Sequence, residues 1–376
     1  MINFSYWEES VFIKDIDFAI IGAGITGLSA AISLREKEPN ARIVILERAF
    51  LPTGASTRNA GFACFGSMTE LLSDLKLMGD ETWSLVENRW KGLQLLRNRV
   101  GDKGLEYHGF GGYELFLEDD QTFQKSKEYL PIVNQELQKI TGISNVFQED
   151  TASSFGMQGV KHMIFNQAEG QINPAKMIQS LLKIATKKDI SIFWGTNVTG
   201  WESDSHGIKL ELNNQRIQNV GKVIVAVNGF AKRLFPEIAL EPARNLVLVT
   251  SPIKDLALKG TFHYDEGYYY FRNIGDRVLL GGGRKLDPKN ETTSEFGLNE
   301  QIQHSLEHML KTTILPSHEY SITHQWSGIM GVGESKTPIL KRHGEHIVIA
   351  VRLGGMGVAL GSQLGHDAAE LLINPS

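Results

Sequence analysis

Cysteine is almost absent from this chain: Cys64 is the single one among 376 residues. A lone cysteine allows no intramolecular disulfide, no cysteine-rich metal site and no redox-active dithiol, which excludes a disulfide reductase. Within "GFACFG" it reads as a small buried thiol rather than a nucleophile. Basic residues are not in excess either, with 38 Lys and Arg against 43 Asp and Glu and a formal net charge of −5. With no basic stripe, no nucleic-acid partner is expected. No apolar run approaches the roughly 20 residues of a membrane span. The opening "MINFSYWEESVFIKDID" lacks the charged and apolar regions of a signal peptide, so a cytoplasmic location is expected. The eleven histidines are read as scattered, and no metal is expected.

What is present begins at Ala19, in "AIIGAGITGLSAAISLREKEPNARIVILERAF". Asp17 to Ile21 is a short apolar run that reads as a strand. Gly22, Gly24 and Gly27 then fall in the G-x-G-x-x-G spacing, with Ile25 and Thr26 inside the turn, and Leu28 to Leu34 continues with helical composition. Gly22 lets the chain turn, Gly24 lets backbone N–H groups approach a pyrophosphate, and Gly27 lets the helix lie close to the strand. A second strand, Arg42 to Leu46, ends in Glu47, twenty residues after Gly27. A carboxylate there suits two ribose hydroxyls and disfavours a 2′-phosphate. The stretch therefore reads as a dinucleotide site that rejects NADP.

The length suggests two domains. Thr69 to Arg99 has long helical periodicity, "LEYHGFGGYELFLED" reads as an antiparallel hairpin, and Asp119 to Gln138 reads as a helix. Asn173 is placed to cap a helix whose first residue is Pro174. "KVIVAVNGFA" is a buried strand ending in Asn228-Gly229. Arg244 to Thr250, "YYYFRNIGDRVLLGGGRKL" and "YSITHQWSGIMG" alternate as strands do, with a helix from Leu298 to Leu310. The chain closes on a strand, a Gly-rich turn and a helix in "HIVIAVRLGGMGVALGSQLGHDAAELLI". The fold expected is α/β: a discontinuous Rossmann-like nucleotide domain from 1–80, 155–243 and 325–376. A mostly antiparallel substrate-binding sheet, 81–154 and 244–324, is interleaved with it.

Glycine turns recur around Gly54 and Gly61, at Asn228-Gly229 and at Gly354 to Gly357. Several close backbone approaches fit a large cofactor held along its whole length better than a visiting nicotinamide nucleotide, which points to FAD. In order along the chain, "DFAIIGAGITGLSAAISL", "LERAFLPTGASTRNAGF", "GQINPAKMIQSLL", "VIVAVNGFA", "RNLVLVT", "YYYFRNIGDRVLLGGGR", "WSGIMG" and "RLGGMGVALGSQLG" resemble the D-amino-acid-oxidase-like FAD-dependent oxidoreductases. The resemblance runs from Ile16 to Ile373 and is nearest to the branch containing γ-glutamylputrescine oxidase. It implies that Glu47 and Arg48 lie by the adenosine and that Val198 touches the adenine side. Ser56, Thr57, Arg58, Asn59 and Gly61 would run beside the pyrophosphate and ring, and Gly355, Met356, Gly357 and Val358 would face the ring's pyrimidine edge. A helix N-terminus aimed there would stabilise the negative charge of the reduced ring. No cysteine lies late in the chain to tether it, so FAD is expected to be non-covalent.

The resemblance also implies a reaction: hydride removal from a carbon bearing an amine, giving an imine that water hydrolyses. Relatives acting on simple α-amino acids carry an arginine just after the position of Gly328, where this chain has Ile329 and Met330. An ordinary D-amino acid or glycine is therefore disfavoured, leaving a small amine or an N-substituted amino acid. Arg272, Arg58, Tyr269, Trp326 and Met330 are the expected substrate contacts, with Arg244 and His108 as further candidates. No catalytic residue is assigned; O2 or another acceptor would take the electrons. Two rival readings are a 2-hydroxy-acid oxidoreductase, disfavoured because Ser56, Thr57 and Arg58 stand where those enzymes place a histidine, and a non-catalytic FAD-binding protein.

Overall fold

The computed structural model describes residues 4–117, 121–150, 155–204, 207–213 and 217–374. Two eight-stranded sheets organise them. At the centre of the first lie five parallel strands, in the spatial order Ile347–Val351, Ile217–Val225, Ile16–Ile21, Ile43–Leu46 and Ser191–Phe193. Ile43–Leu46 is buried at every position, as expected of a parallel strand covered on both faces. On one face pack the helices Ile25–Lys37, Pro174–Lys187 and Gly357–Ile373; on the other, an apolar layer includes Ala231, Phe235 and Leu240. Asn173 caps Pro174–Lys187 by accepting from the N–H groups of Ala175 and Lys176.

The connections leaving Ile16–Ile21 proceed outward to Ile43–Leu46 and Ser191–Phe193, then return to its other side at Ile217–Val225. That reversal is a topological switch point, and the two chains leaving it diverge to open a crevice beyond the strands' carboxyl ends. Gly22 leaves one strand and Ala226 the other. Gly22 has φ of +107°, and a Cβ there would lie 2.9 Å from the Ala226 carbonyl oxygen. Gly27 is more constrained still, since its Cβ would lie 1.9 Å from the carbonyl oxygen of Gly22.

The second sheet runs Ile322–Val332, Glu241–Thr250, Arg277–Gly282, Tyr269–Ile274, Thr261–Tyr264, Gly112–Leu117, Val160–Asn166 and Phe147–Asp150. It is antiparallel apart from the parallel pair Thr261–Tyr264 and Gly112–Leu117. One face is apolar, carrying Leu248, Phe262, Phe271 and Leu280 against the helix Glu300–Met309. Across the other face the register aligns one transverse row: Glu114, His263, Tyr270, Gly281, Val247 and Trp326.

Several elements differ from the sequence expectation. Ile322–Val332 and Val160–Asn166 belong to the second sheet, although 325–376 and 155–243 were assigned to the nucleotide domain; strand alternation alone does not say which sheet a strand joins. Where a hairpin is expected over 105–119, the described residues hold a single strand, Gly112–Leu117, whose partners are Thr261–Tyr264 and Val160–Asn166. The long helix is two, Met68–Met78 and Glu81–Val100, broken at Gly79 with φ of +58°. The expected helix start Asp119 lies outside the described residues; the helix observed is Thr122–Thr141.

Candidate active site

A cavity of about 640 Å³ begins in the crevice at the switch point and extends to the second sheet. That volume is in the range of small-molecule and cofactor sites, about 300–1,000 Å³. At its first end Gly22, Gly24, Ile25 and Thr26 form the turn into the helix Ile25–Lys37, with Glu47, Arg48 and Val198 beside them. Glu47 is already structural: its carboxylate accepts from the N–H groups of Ala23 (2.9 Å) and Ala49 (3.0 Å), tying the turn to the second strand. Arg48 lies over the Phe230 ring, its guanidinium carbon 3.8 Å from the centroid.

The middle of the cavity is bounded by the short helix Ala55–Arg58 and the residues after it. Ser56 accepts from the N–H of Ile25 (3.0 Å), and Asn59 binds both Ala55 and Ser56 carbonyls while accepting from Gly61 N–H. Arg58 donates to the carbonyls of Thr53 and Ser327, and its side chain also packs over Phe296. Opposite them lie Asn228, whose amide oxygen accepts from Arg352 and Leu353 N–H, and the turn Gly355, Met356, Gly357 and Val358. The helices Ile25–Lys37 and Gly357–Ile373 therefore start at this cavity, and neither N-cap residue, Gly24 or Met356, supplies a side-chain cap. Their first-turn N–H groups carry partial positive charge toward the cavity, which suits a phosphate at one and an electron-rich ring edge at the other.

Gly27, Thr57 and Gly229 do not line the cavity. Gly27 serves the helix–strand contact, Thr57 donates to the Pro52 carbonyl, and a Cβ on Gly229 would lie 2.4 Å from the Met330 carbonyl oxygen.

The second end faces the sheet. Tyr268 and Tyr270 line the cavity, whereas Tyr269 turns into the apolar core on the other face and is 8% exposed. Tyr270 accepts a hydrogen bond from the Asn245 side-chain amide (2.9 Å), and burial pushes its phenol pKa up. Of the expected substrate contacts, Arg58 and Met330 line the cavity and Tyr269, Arg272 and Trp326 do not. The Trp326 indole donates to the Arg58 carbonyl (2.9 Å). Arg272 is 6% exposed and gives its guanidinium to the carbonyls of Ala60, Ile172 (3.0 Å) and Asn273 (3.2 Å); burial lowers its pKa to about 10. Arg244 forms a two-pronged bridge to Glu291, and His108 is exposed and stacks on Phe110. Tyr269, Arg272, Trp326 and Arg244 thus serve the packing and hydrogen bonding of the fold.

Other residues fill this end that single-strand patterns do not single out: Asn245, His263, Glu70, Lys336 and Arg284. His263 is buried. Its Nε2 donates to Glu169 (2.6 Å), which also accepts from Thr261, and Glu70 lies 4.0 Å from its Nδ1. Burial by itself pulls the imidazole pKa down. The charge and hydrogen bond of Glu169, with Glu70 and Glu114, outweigh it and hold the pKa up at about 9, so the ring is an imidazolium at neutral pH. Glu114, buried in the same cluster, accepts from Ser67 and from the Thr69 N–H; burial pushes its pKa up. Cys64, Glu169 and His263 bring ligand-type atoms within 4.8 Å of one another. The carboxylate and imidazole there already satisfy each other, and burial pushes the thiol pKa up, so the group is not arranged as a free ligand set. His304 and His308 correct the reading of scattered histidines: they stand four apart on Glu300–Met309, but both are exposed and outside the cavity.

The family described as FAD dependent oxidoreductase (DAO) matches residues 17–371. Curated relatives include probable oxidoreductase OrdL of Rhizobium meliloti, 23% identical over 96% of this chain and 84% of its own length. A second OrdL, from Haemophilus influenzae, is 22% identical over the same shares. Among solved structures, glycine oxidase from Bacillus cereus superposes with a TM-score of 0.72 at 19% identity, covering 95% of this chain and 94% of that one. Iminodiacetate oxidase from Chelativorans sp. BNC1 gives 0.73 at 17%, covering 96% of each chain. No helix among the described residues is long and apolar enough to cross a membrane.

Proposed function

The chain belongs to the FAD-dependent oxidoreductases of the DAO family, and on that premise we propose that it oxidises the C–N bond of a small amine or N-substituted amino acid. One observation carries the reading: the cavity is continuous from the nucleotide turn to the polar sheet face, so a flavin lying along it would present its ring to Tyr270, Asn245 and Met330. The oxidases and deaminases of amino acids and iminodiacetate among structures of the same fold support the substrate class.

The residues fit FAD. Gly22, Gly24 and the start of Ile25–Lys37 would take the pyrophosphate; Glu47, Arg48 and Val198 would flank the adenosine; Gly355 to Val358 would meet the ring. Bound FAD supplies the hydride acceptor. We propose that it is held non-covalently, because burial keeps the Cys64 thiol protonated and unreactive. The protein's own part is to bind and orient. An amine reaches the chamber mainly as ammonium, since a free alkyl amine has a pKa of about 10, and it must shed a proton before its lone pair can assist loss of hydride from the adjacent carbon. Val247 and Phe62 add apolar surface to the cavity lining, which disfavours the charged form. The resulting imine takes up water and separates into a carbonyl compound and ammonia or a smaller amine.

His263 argues against the 2-hydroxy-acid reading. Hydroxyl oxidation calls for a base at the alcohol, and His263, the one histidine lining the cavity among the described residues, is held as an imidazolium by Glu169. Anaerobic mixing of the yellow protein with an amine panel and a 2-hydroxy-acid panel tests the proposal. Bleaching by amines is expected; bleaching by hydroxy acids alone would refute it, and readmitted air then shows whether O2 is the acceptor.

A further inference from the structure

Most cationic side chains around the cavity are already engaged. Arg58 is bound to two carbonyls, Arg233 to Ser294 and Glu295, Lys336 to Asp74 and the His263 ring to Glu169. Arg48 stacks on Phe230 beside Glu47, at the nucleotide end. Arg284 is different. It lines the sheet end, is half-buried, and among the described residues its guanidinium has no hydrogen-bond or ion-pair partner.

Its position is built by the backbone. The strand Arg277–Gly282 ends at Gly282 and is followed by Gly283, with φ of +122° and +74°, and the N–H of Gly283 donates to the Tyr268 carbonyl (2.9 Å). A Cβ on Gly282 would come within 2.1 Å of that carbonyl oxygen, so only glycine permits the turn. The turn sets Arg284 beside the cavity face of the Tyr268 to Tyr270 strand, and its charge reaches the Tyr270 phenol. Tyr270 accepts from Asn245, which leaves its O–H to donate. Arg284, whose guanidinium carries five N–H donors, and the Tyr270 phenol, with one, thus line the same end of the cavity. A half-buried cation without a counter-charge is poorly solvated by protein, and a carboxylate matches both its charge and its fork of donors.

We propose that Arg284 and Tyr270 form an anion subsite that binds the carboxylate of the substrate, making Arg284 the specificity-determining residue for amines that carry a carboxylate. This rests on the reading that the chamber takes amines.

The test uses the flavin-loaded protein and two inert probes, butanoate and its uncharged isostere butanamide, with perturbation of the flavin absorbance as readout. Wild type is expected to saturate with butanoate far more tightly than with butanamide. Arg284→Gln should weaken butanoate at least 30-fold while leaving butanamide binding and flavin content unchanged. Arg284→Lys, which keeps the charge but loses the fork, should fall between, and Tyr270→Phe should cost several-fold. Equal butanoate affinity in wild type and Arg284→Gln overturns the proposal. So does loss of flavin from both Arg284 variants, since the guanidinium would then serve the cofactor. If no amine bleaches the flavin yet butanoate binding depends on Arg284, the functional reading falls and the subsite stands. If amines with and without a carboxylate bleach it equally well and Arg284→Gln changes neither, the reading stands and the subsite falls.

Discussion

Replacing Arg272 by methionine separates a structural arginine from a substrate-binding one. Its guanidinium donates to three backbone carbonyls, two of which, Ala60 and Ile172, lie outside its own strand and flank Gly61 at the cavity. A hydrogen bond from a charged donor contributes about 1.5–3 kcal/mol, so three give a gross loss of roughly 4–9 kcal/mol. Methionine also removes a cation whose burial is itself unfavourable, as the lowered pKa of about 10 records. The net expectation is about 3–5 kcal/mol, the usual cost of breaking a buried charged contact. Unfolding entropy of about 2.1 cal/mol/K per residue, over 376 residues, is about 0.8 kcal/mol/K. A 4 kcal/mol loss therefore lowers Tm by about 5 °C. Circular dichroism and flavin fluorescence should both report that shift, with weakened flavin retention, while KM measured on the loaded fraction stays within about three-fold of wild type. An unchanged Tm together with a KM raised a hundred-fold would refute the reasoning and make Arg272 a substrate ligand.

Other expectations are simpler to check. Gly27→Ala places a methyl 1.9 Å from the Gly22 carbonyl oxygen and should give protein with little or no flavin, read as the ratio of visible to protein absorbance. Glu47→Gln keeps the shape but weakens the tie to Ala23 and Ala49; flavin Kd should rise about ten-fold or more, measured by fluorescence titration of the apoprotein. Acid precipitation should release all of the flavin into the supernatant; colour remaining in the pellet would contradict a dissociable cofactor. His263 has its folded pKa raised from 6.5 to about 9, so its stabilising charge interactions are complete below pH about 6.5 and are lost as pH rises through about 9. Tm should fall across that window, and His263→Gln should flatten the decline. The groups facing the ring are Glu169, Glu70 and Glu114, with Cys64 alongside Glu169.

The nucleotide half was legible because it is local. Gly22, Gly24, Gly27 and Glu47 lie within one strand–helix–strand unit whose spacing is itself the signal, although Gly22 also answers to the Ala226 carbonyl and Gly24 to the Ser56 side chain. The substrate end was less so. Tyr268, Tyr269 and Tyr270 are adjacent and identical, and which of them faces the cavity depends on where the helix Glu300–Met309 packs, thirty residues or more downstream. Arg272 drew attention as a cation on the same strand, yet its partners, Ala60 and Ile172, come from distant segments. Arg284 follows Gly281, Gly282 and Gly283 in a run that reads as strand; only the positive φ values of Gly282 and Gly283 show a turn that aims the next side chain. The row Glu114, His263, Tyr270 draws on three strands whose pairing no local pattern discloses.

The pairing of the helices Ile25–Lys37 and Gly357–Ile373 has a consequence for biosynthesis. They touch at Ser29 and Ser362, 333 residues apart, and a Cβ on Gly365 would lie 2.4 Å from the Thr26 carbonyl oxygen. The cradle's first glycines leave the ribosome long before the helix that completes it, so an emerging chain has no finished pocket to load. Closing so wide a loop is slow, and the waiting apolar flank of the first helix is open to misassociation meanwhile. Cofactor supply during expression should therefore govern how much protein survives the last stage of assembly rather than how fast synthesis begins.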